Sequence, residues 1–432
     1  MNKNPALPPL AVGKNLTDIG IPFENDLLDR KKLADKLTGY IDRLAAGAVI
    51  AIDAPWGEGK TWFGKNWAKQ LENDHRVIYL DAFKGDYMDD PFLLISAEIT
   101  RLLDKNGQSD FKLKIARAMN LLLPIGKTAF QIAAGTLTGI PDITAKTAHL
   151  LDTLQAAASD STERLIQKKI EEYIAEESSL TAFRNRLASI ASTEEKPIVF
   201  FIDELDRCSP VFAIALLERI KHFFEVPNLV FVLLIHRDQL YEAIRGVYGQ
   251  NTDAVAYLHK FVHLFMTLPV HRLPPGHKLR LMQKFIATLL TRHKIDSRNN
   301  IRYLFVEHFS LWAYIASLTL RDMEKGVALY LLADHLFTHP DNFFNINLFC
   351  FLIVLKLQHP QWLDRILDGD GTLYAELQTN YFSKTEHSRP IHKEIQELLS
   401  HCIELFHKSL VEYDPSSIEE LKRFINELDL SV

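Results

Sequence analysis

An apolar strand that runs directly into a glycine-bearing turn is the feature that most constrains this chain. Residues 49–61 read VIAIDAPWGEGKT, so the strand ends near Asp53 and a helix begins at about Lys60. The two glycines of the turn, Gly57 and Gly59, allow the backbone to curl so that successive N–H groups point inward. Together with the positive end of the following helix, these donors predict a binding site for a di- or triphosphate.

The turn matches the phosphate-loop pattern A-x-x-x-x-G-K-T, in which Ala54 stands where a glycine is usual. A small residue still permits the first bend. We expect Lys60 to reach the β- and γ-phosphate oxygens and Thr61 to place its hydroxyl on Mg²⁺. The alternative is a chance glycine turn after a strand. The residues expected to bind nucleotide in this loop are Ala54, Pro55, Trp56, Gly57, Glu58, Gly59, Lys60 and Thr61.

A second apolar run ends in acidic residues, in the sequence FFIDELDR at 200–207. We expect Asp203 to hold the Mg²⁺ hydration shell and Glu204 to polarise the attacking water as a general base. The end of this strand presents its acids at the same sheet edge as the phosphate loop. The alternative is an ordinary acidic strand end, with Asp206 and Arg207 as surface charges. The two motifs together predict ATP and Mg²⁺ as cofactors and nucleoside triphosphate hydrolysis as the activity.

The fold class follows from apolar runs that alternate with helical patterns. Several of these runs are apolar on both faces, which is typical of a parallel sheet covered by helices on both sides. From Pro269 onward the pattern is helical, so we expect an α/β domain followed by an all-α region. The predicted strands are residues 48–53, 77–81, 198–203, 229–235 and 264–268.

More than 100 residues separate the second predicted strand from the third, which predicts a helical insertion at about 105–190. Its middle, residues 118–141, carries one charge, Lys127, and is long enough to span a membrane. Proline, glutamine and threonine residues dilute it, so a helical hairpin packed on protein is favoured over a span, and peripheral membrane contact is a third alternative. Residues 343–357 are very apolar but short, which favours a buried core helix.

Charge and cysteine content narrow the functional classes. The net charge of −6 and the pI of about 6.3 give no general attraction to nucleic acid or to an anionic membrane. We expect short basic groups such as Arg30-Lys31-Lys32 to be solvated helix faces. The three cysteines lie far apart, which fits a reducing cytosol and predicts a cytoplasmic location. Membrane association through the insertion stays open.

The chain resembles the KAP family of P-loop NTPases in several stretches beyond the phosphate loop. The stretches that carry the resemblance are APWGEGKT, VIYLDAF, FFIDELDRCSP, LLERIKHFFEVPNLVFVLLIHRDQL and YLHKFVHLFMTLP. The resemblance implies a sheet of strand order 5-1-4-3-2. It also implies membrane helices inserted between the two nucleotide motifs in many members. Bacterial members include phage-exclusion and defence-associated proteins.

The resemblance also implies roles for single residues. His236 follows the fourth strand, where the family commonly has Asp, and would sense the γ-phosphate; the alternative is a structural histidine. Arg321 resembles an arginine of a lid domain that reaches the nucleotide; the alternative is that it is a surface residue of a helix. Arg207 and Arg219 are weaker candidates for an arginine that acts across subunits. The residues that match the family's phosphate, Mg²⁺ and acidic positions are Lys60, Thr61, Asp203 and Glu204.

The sequence predicts three parts: a flexible leader at 1–25, an NTPase domain at 26–269 with the insertion, and a helical lid or interaction domain at 270–432. The leading interpretation is a Mg-dependent ATPase that acts as an energy-coupled switch in anti-phage defence. The alternatives are a nucleotide-binding interaction scaffold with little turnover and a membrane-associated housekeeping NTPase. The expected partners are nucleotide and either other proteins or further copies of the chain, and nothing indicates nucleic acid.

Overall fold

A computed structural model describes residues 19–44, 46–88, 91–101, 181, 184–223, 226–268, 275–293, 300–333, 346–367 and 376. The apolar middle of the insertion and residues 1–18 of the leader predicted at 1–25 lie outside these residues. At the end of the predicted insertion, the structure describes residue 181 and the helical residues 184–191.

The centre of the fold is a parallel sheet of five strands in the order β2-β3-β4-β1-β5. Read from the other edge, this is 5-1-4-3-2, so the predicted fold class is confirmed. The register aligns Asp53 at the end of β1 with Ile235 of β4, and Asp81 with Asp203. The carboxyl ends of all five strands therefore lie at one edge. The strands are β1 Ala48–Asp53, β2 Val77–Asp81, β3 Ile198–Asp203, β4 Leu229–Ile235 and β5 Leu264–Thr267.

Burial explains which runs form the inner strands. Every residue of β1, β3 and β4 is buried, as expected for strands covered on both faces. Strand β2 lies at the sheet edge and alternates between buried and half-buried residues, with Tyr79 on the half-buried face. This alternation places a polar side chain of β2 beside the acids of β3.

Helices cover both faces of the sheet. On one face, the side chains of Leu37, Phe63 and Trp67 pack against Ile50 and Val232. The other face is covered by apolar side chains from α3, α4 and α5. The helices of the sheet region are α1 Arg30–Ile41, α2 Lys60–Leu71, α3 Pro91–Arg101, α4 Pro210–Ile220, α5 Arg237–Tyr248 and α6 Ala254–Leu258.

The C-terminal helices form a second apolar cluster, to which Leu28 of the segment before α1 also belongs. Phe305, Phe309 and Tyr330 stack on one another, and Gly326 lets two helices approach because a Cβ there would lie 2.1 Å from the Phe309 ring. These helices are α7 Pro275–Arg292, α8 Asn300–Ile315, α9 Leu320–Ala333, α10 Ile346–Gln358 and α11 Pro360–Leu367.

The buried core helix expected at 343–357 corresponds to α10, in which residues 349–355 are almost fully buried. Among the described residues, none of the helices combines the length and the apolar character that crossing a bilayer requires.

Two helices end or begin at residues with distinct backbone conformations. Helix α1 begins only at Arg30, because Asp29 adopts a left-handed conformation with φ 53°. Helix α4 ends at Ile220 and is followed by a short 3₁₀ turn, Lys221–Phe223.

Candidate nucleotide-binding site

The loop between β1 and α2 has the conformation that the glycine pattern predicts. Gly57 and Gly59 have φ angles of 83° and 75°, in the left-handed region that only glycine enters at low cost. Helix α2 begins at Lys60, directly after the second of these glycines. The loop therefore curls at the carboxyl edge of an inner strand and leads its backbone into a helix N-terminus.

The Lys60 side chain binds backbone carbonyl oxygens of the phosphate loop in this structure. Its side-chain Nζ donates to the carbonyl oxygens of Ala54 at 2.7 Å and Pro55 at 3.3 Å, and the residue is only 8% exposed. Burial lowers the pKa of this ammonium, while Asp206 and other nearby acids act in the opposite direction. A phosphate group that entered the loop would replace these carbonyl oxygens as the partner of Lys60.

Asp203 is a buried carboxylate with defined hydrogen-bond donors. Its Oδ2 accepts from the Tyr79 hydroxyl at 2.8 Å, and its Oδ1 accepts from the Glu204 backbone N–H at 2.9 Å. Burial raises the pKa of Asp203, and the hydrogen bonds from Tyr79 and Thr61 oppose that rise. A hydroxyl and a carboxylate in contact supply the oxygen ligands that Mg²⁺ prefers, so Thr61 and Asp203 fit this ion.

Glu204 lies next to Thr61 but is held by an arginine. The Thr61 hydroxyl is 3.4 Å from Glu204 Oε1, and Arg207 Nε is 2.6 Å from Glu204 Oε2. The backbone of Glu204 is left-handed, with φ 59°, which is uncommon for a residue other than glycine. Burial, followed by the charge of Asp203, raises the pKa of the Glu204 carboxyl.

Trp56 of the loop contacts the segments that follow β3 and β4. Its indole N–H donates to the Asp206 carboxylate, and its ring packs edge to face with the His236 ring at a centroid distance of 5.3 Å. Within the described residues, the buried Nδ1 atom of His236 has no hydrogen-bond partner. His236 thus lies beside the loop, at the end of β4.

Arg30 requires a correction. The sequence predicted that the basic run at 30–32 is a solvated helix face, but Arg30 is 2% exposed. Its guanidinium donates to the carbonyl oxygen of Glu58 at 2.6 Å and to that of Gly59 at 3.2 Å. Burial lowers the pKa of Arg30 to about 10, and the charge of Glu58 opposes this change. The prediction was wrong because one side chain of the run lies under the loop, whereas Lys31 and Lys32 reach solvent.

The C-terminal helices reach the loop at the start of α9. The Arg321 backbone N–H donates to the Gly57 carbonyl oxygen at 3.2 Å. Thr319 and Asp322 cap this helix by reciprocal hydrogen bonds between side chains and backbone. The charge of Arg321 acts on Glu324, whose pKa is raised by burial. The predicted lid residue therefore contacts the loop through its backbone.

The structure brings together most of the residues that the motifs indicated. Lys60, Thr61, Asp203, Glu204 and His236 surround one edge of the sheet, whereas Arg219 lies near the end of α4. Sequence reasoning missed Tyr79 and Arg30, and it missed Asp53, whose carboxylate accepts from the Arg237 backbone N–H at 3.0 Å. Tyr79 could have been found, because a polar residue interrupts an apolar strand there.

A KAP family P-loop domain matches residues 30–328, which is more than half of the chain. The chain belongs to the KAP family of P-loop NTPases. The resemblance carried by the motifs is thereby confirmed, and with it a nucleotide-binding NTPase fold. No curated protein matches the chain.

Solved structures with a similar outline share little sequence with this KAP-family chain. The Aeropyrum pernix ORC2 protein, described as ADPNP-ADP complexes, is 14% identical with a TM-score of 0.36, and 97% of each chain is covered. The Aeropyrum pernix ORC1 protein in complex with DNA is 14% identical with a TM-score of 0.34, covering 98% of this chain and 86% of that one. A variant of Thermotoga maritima RuvB is 11% identical with a TM-score of 0.31, covering 82% of this chain and 77% of that one. The assignment therefore depends on the family match.

Proposed function

We propose that this chain is a Mg-dependent ATP hydrolase whose cycle acts as an energy-coupled switch. The observation that carries the proposal is the meeting of two motifs at one sheet edge. The phosphate loop places Lys60 and Thr61 beside Asp203 and Glu204, and the Thr61 hydroxyl lies 3.4 Å from Glu204 Oε1. A cation, a hydroxyl and two carboxylates at the end of parallel strands suit phosphoryl transfer to water.

Each residue of the site has a distinct task in this proposal. The Lys60 ammonium leaves the Ala54 carbonyl oxygen and binds the β- and γ-phosphate oxygens. Thr61 and Asp203 would hold Mg²⁺, which when bound neutralises charge on the phosphates. Glu204 accepts the proton of the attacking water. Its raised pKa brings it closer to that of an efficient base at neutral pH.

The ion pair with Arg207 limits how Glu204 can act. Because the guanidinium contacts Oε2 at 2.6 Å, the attacking water must approach Oε1 unless the ion pair opens. The same pair favours a second candidate function, a nucleotide-binding interaction scaffold with little turnover, in which Glu204 stays bound to Arg207.

The start of α9 supports the switch. Because the Arg321 N–H donates to the Gly57 carbonyl oxygen, a change in loop conformation alters the support of a C-terminal helix. In this proposal, residues 26–269 form the NTPase domain and residues 270–432 form a lid or docking region. Arg321 and His236 are then the candidates to contact the γ-phosphate. Arg207 and Arg219 are the candidates to act on a neighbouring subunit.

The test compares three variants in a steady-state ATPase assay and in direct nucleotide binding. Lys60→Ala should lose nucleotide binding, because the phosphates lose their cation. Glu204→Gln should bind nucleotide but hydrolyse it about 10²–10⁴-fold more slowly, because an amide cannot accept the proton. Lys69→Ala is the matched control, since Lys69 lies on the same helix and its side chain pairs with Glu72 near solvent.

Two outcomes would contradict the proposal. Hydrolysis by Glu204→Gln at the wild-type rate would remove Glu204 as the base. Tight binding of ATP by the wild type with turnover no faster than that of Glu204→Gln would favour the scaffold.

The biological role is proposed on the family resemblance. Anti-phage defence requires that cells carrying the intact system resist some phages, and that Lys60→Ala abolishes resistance at an unchanged protein level. Equal plating of a broad phage panel on both strains would favour a housekeeping NTPase. Fractionation of the same cells would test the proposed cytoplasmic location against membrane contact through the insertion, and light scattering would test assembly into homo-oligomers.

A further inference from the structure

We propose that Arg30 is a positioning residue that holds the phosphate loop in its anion-binding conformation before nucleotide arrives. Arg30 lies on α1, outside both nucleotide motifs, and its guanidinium is buried under the loop. The inference deepens the proposed nucleotide site and rests on that function, since the loop is expected to bind phosphate.

The guanidinium holds two successive peptide groups. One terminal nitrogen, Nη2, donates to the Glu58 carbonyl oxygen at 2.6 Å, and the other, Nη1, donates to the Gly59 carbonyl oxygen at 3.2 Å. The preceding carbonyl oxygen, that of Gly57, accepts from the Arg321 N–H at 3.2 Å. Three consecutive carbonyl groups of the loop are therefore bound by donors from α1 and α9.

Because the peptide bond is planar, the direction of each carbonyl group also fixes the direction of the following N–H group. In a trans peptide, the C=O of one residue and the N–H of the next point in opposite directions. Fixing the Glu58 carbonyl toward Arg30 therefore directs the Gly59 N–H to the opposite side, where a phosphate would bind. The Gly59 carbonyl oxygen accepts from both Arg30 and the Phe63 N–H, so Arg30 and helix α2 together direct the Lys60 N–H. Arg30 thus orients the donors that form an anion-binding nest.

The glycine pattern of the loop agrees with this role. A Cβ added at Gly59 would lie 2.7 Å from the Arg30 Nη1 atom, so the guanidinium packs directly on the glycine. The second glycine of the motif therefore permits both the left-handed backbone and the close approach of Arg30.

An arginine suits this position better than a lysine does. The planar guanidinium binds the two carbonyl oxygens through two separate nitrogens in a fixed geometry, whereas an ammonium must reach both from one nitrogen, as Lys60 does at 2.7 and 3.3 Å. The Trp62 ring lies 5.9 Å from the guanidinium carbon, and the charges of Glu58 and Asp26 act on it. These neighbours stabilise a cation that would otherwise be costly to bury.

The alternative is that Arg30 merely attaches α1 to the sheet domain. A structural attachment would change global stability and would leave the loop backbone unaffected relative to the rest of the sheet. Positioning instead predicts a local effect on residues 54–61, which can be measured without nucleotide.

The experiment compares Arg30→Gln and Arg30→Lys with Lys31→Gln, a control on the same helix whose side chain pairs with Asp35 near solvent. Amide hydrogen exchange of Ala54 and Glu58, whose N–H groups donate to the Ile235 and Pro55 carbonyl oxygens, is measured in the nucleotide-free full chain. The dissociation constant is measured with a fluorescent ATP analogue and Mg²⁺. We expect Arg30→Gln to speed loop exchange about tenfold or more and to weaken binding about 10- to 100-fold, with β1 and β4 still protected. Arg30→Lys keeps the positive charge but loses the two donor nitrogens of the planar guanidinium. It should therefore recover only part of the loop protection and part of the nucleotide affinity.

Three other results would overturn the inference. Wild-type exchange and affinity in Arg30→Gln would show that the loop needs no support from α1. Full recovery in Arg30→Lys would show that charge alone matters. Uniform loss of protection across the sheet in both Arg30 variants would assign a purely structural role. If the wild type binds no analogue, the proposed nucleotide function fails, whereas the exchange comparison still decides whether Arg30 positions the loop.

Discussion

Replacing Gly57 with alanine tests the contact between the phosphate loop and the C-terminal helices. The φ angle of Gly57 is 83°, and a Cβ added there would lie 2.6 Å from the Thr319 hydroxyl oxygen and 3.0 Å from the Arg321 Cβ. The new methyl group would therefore meet the capped start of α9 while the backbone is held in the left-handed region. Neither problem can be relieved without moving the loop or the helix.

The expected loss of stability follows from these two costs. A left-handed conformation costs an alanine about 1–2 kcal/mol. Inserting a methyl group into a packed contact costs about 1–3 kcal/mol. The smaller entropy of the unfolded alanine chain returns about 0.4–1 kcal/mol. The free energy of unfolding should fall by about 1–4.6 kcal/mol.

The assay is urea denaturation of the full chain, with Gly246→Ala as the matched control. Gly246 lies within α5, and a Cβ there would meet nothing within 4 Å. That substitution should raise stability by about 0.5–1 kcal/mol, as alanine usually does in a helix. If Gly57→Ala unfolds at the wild-type urea concentration while Gly246→Ala is stabilised, the described contact between loop and α9 is wrong.

Two further substitutions test the buried acids. Tyr79→Phe removes a donor to the buried Asp203 carboxylate, so its pKa should rise further and the variant should lose about 1.5–3 kcal/mol of stability at pH 8. The loss should shrink as the pH falls and Asp203 takes up a proton, and urea denaturation at pH 8 and at acidic pH checks this. Glu324→Gln should be more stable than the wild type at pH 8, because burial raises the pKa of Glu324 and ionising it in the folded state costs free energy. That advantage should vanish below the ordinary glutamate pKa, and a pH-independent difference would contradict the argument.

The strands and the phosphate loop could be predicted because their causes are local. A run such as residues 229–235 is apolar at every position, so it is stable only when covered on both faces, and it forms β4. The order of Gly57, Gly59 and Lys60 fixes the loop conformation through backbone geometry that glycine alone allows cheaply. Local chemistry of this kind is readable from one stretch of sequence.

The residues that hold the phosphate loop in place could not be predicted from local sequence, because they lie in distant segments of the chain. Arg30 sits in a run of three basic residues, and only the packing of α1 on the loop distinguishes it from Lys31 and Lys32. The predicted role of Arg321 was a guanidinium that reaches the nucleotide, yet its contact with the loop is made by the backbone N–H. A backbone contact leaves no side-chain signal in the sequence.

Strand β1 pairs with β4 and β5, which are synthesised well over 100 residues after it. At about 5–20 residues per second, the ribosome finishes these partners on the order of 10–40 s after β1 emerges. During this interval the apolar residues 48–52 are made without their neighbours, a situation that favours aggregation or chaperone capture. The phosphate loop is therefore synthesised well before the strands that flank β1. Fragments that end before Leu229 should be insoluble and unable to bind nucleotide, although they contain the whole phosphate loop.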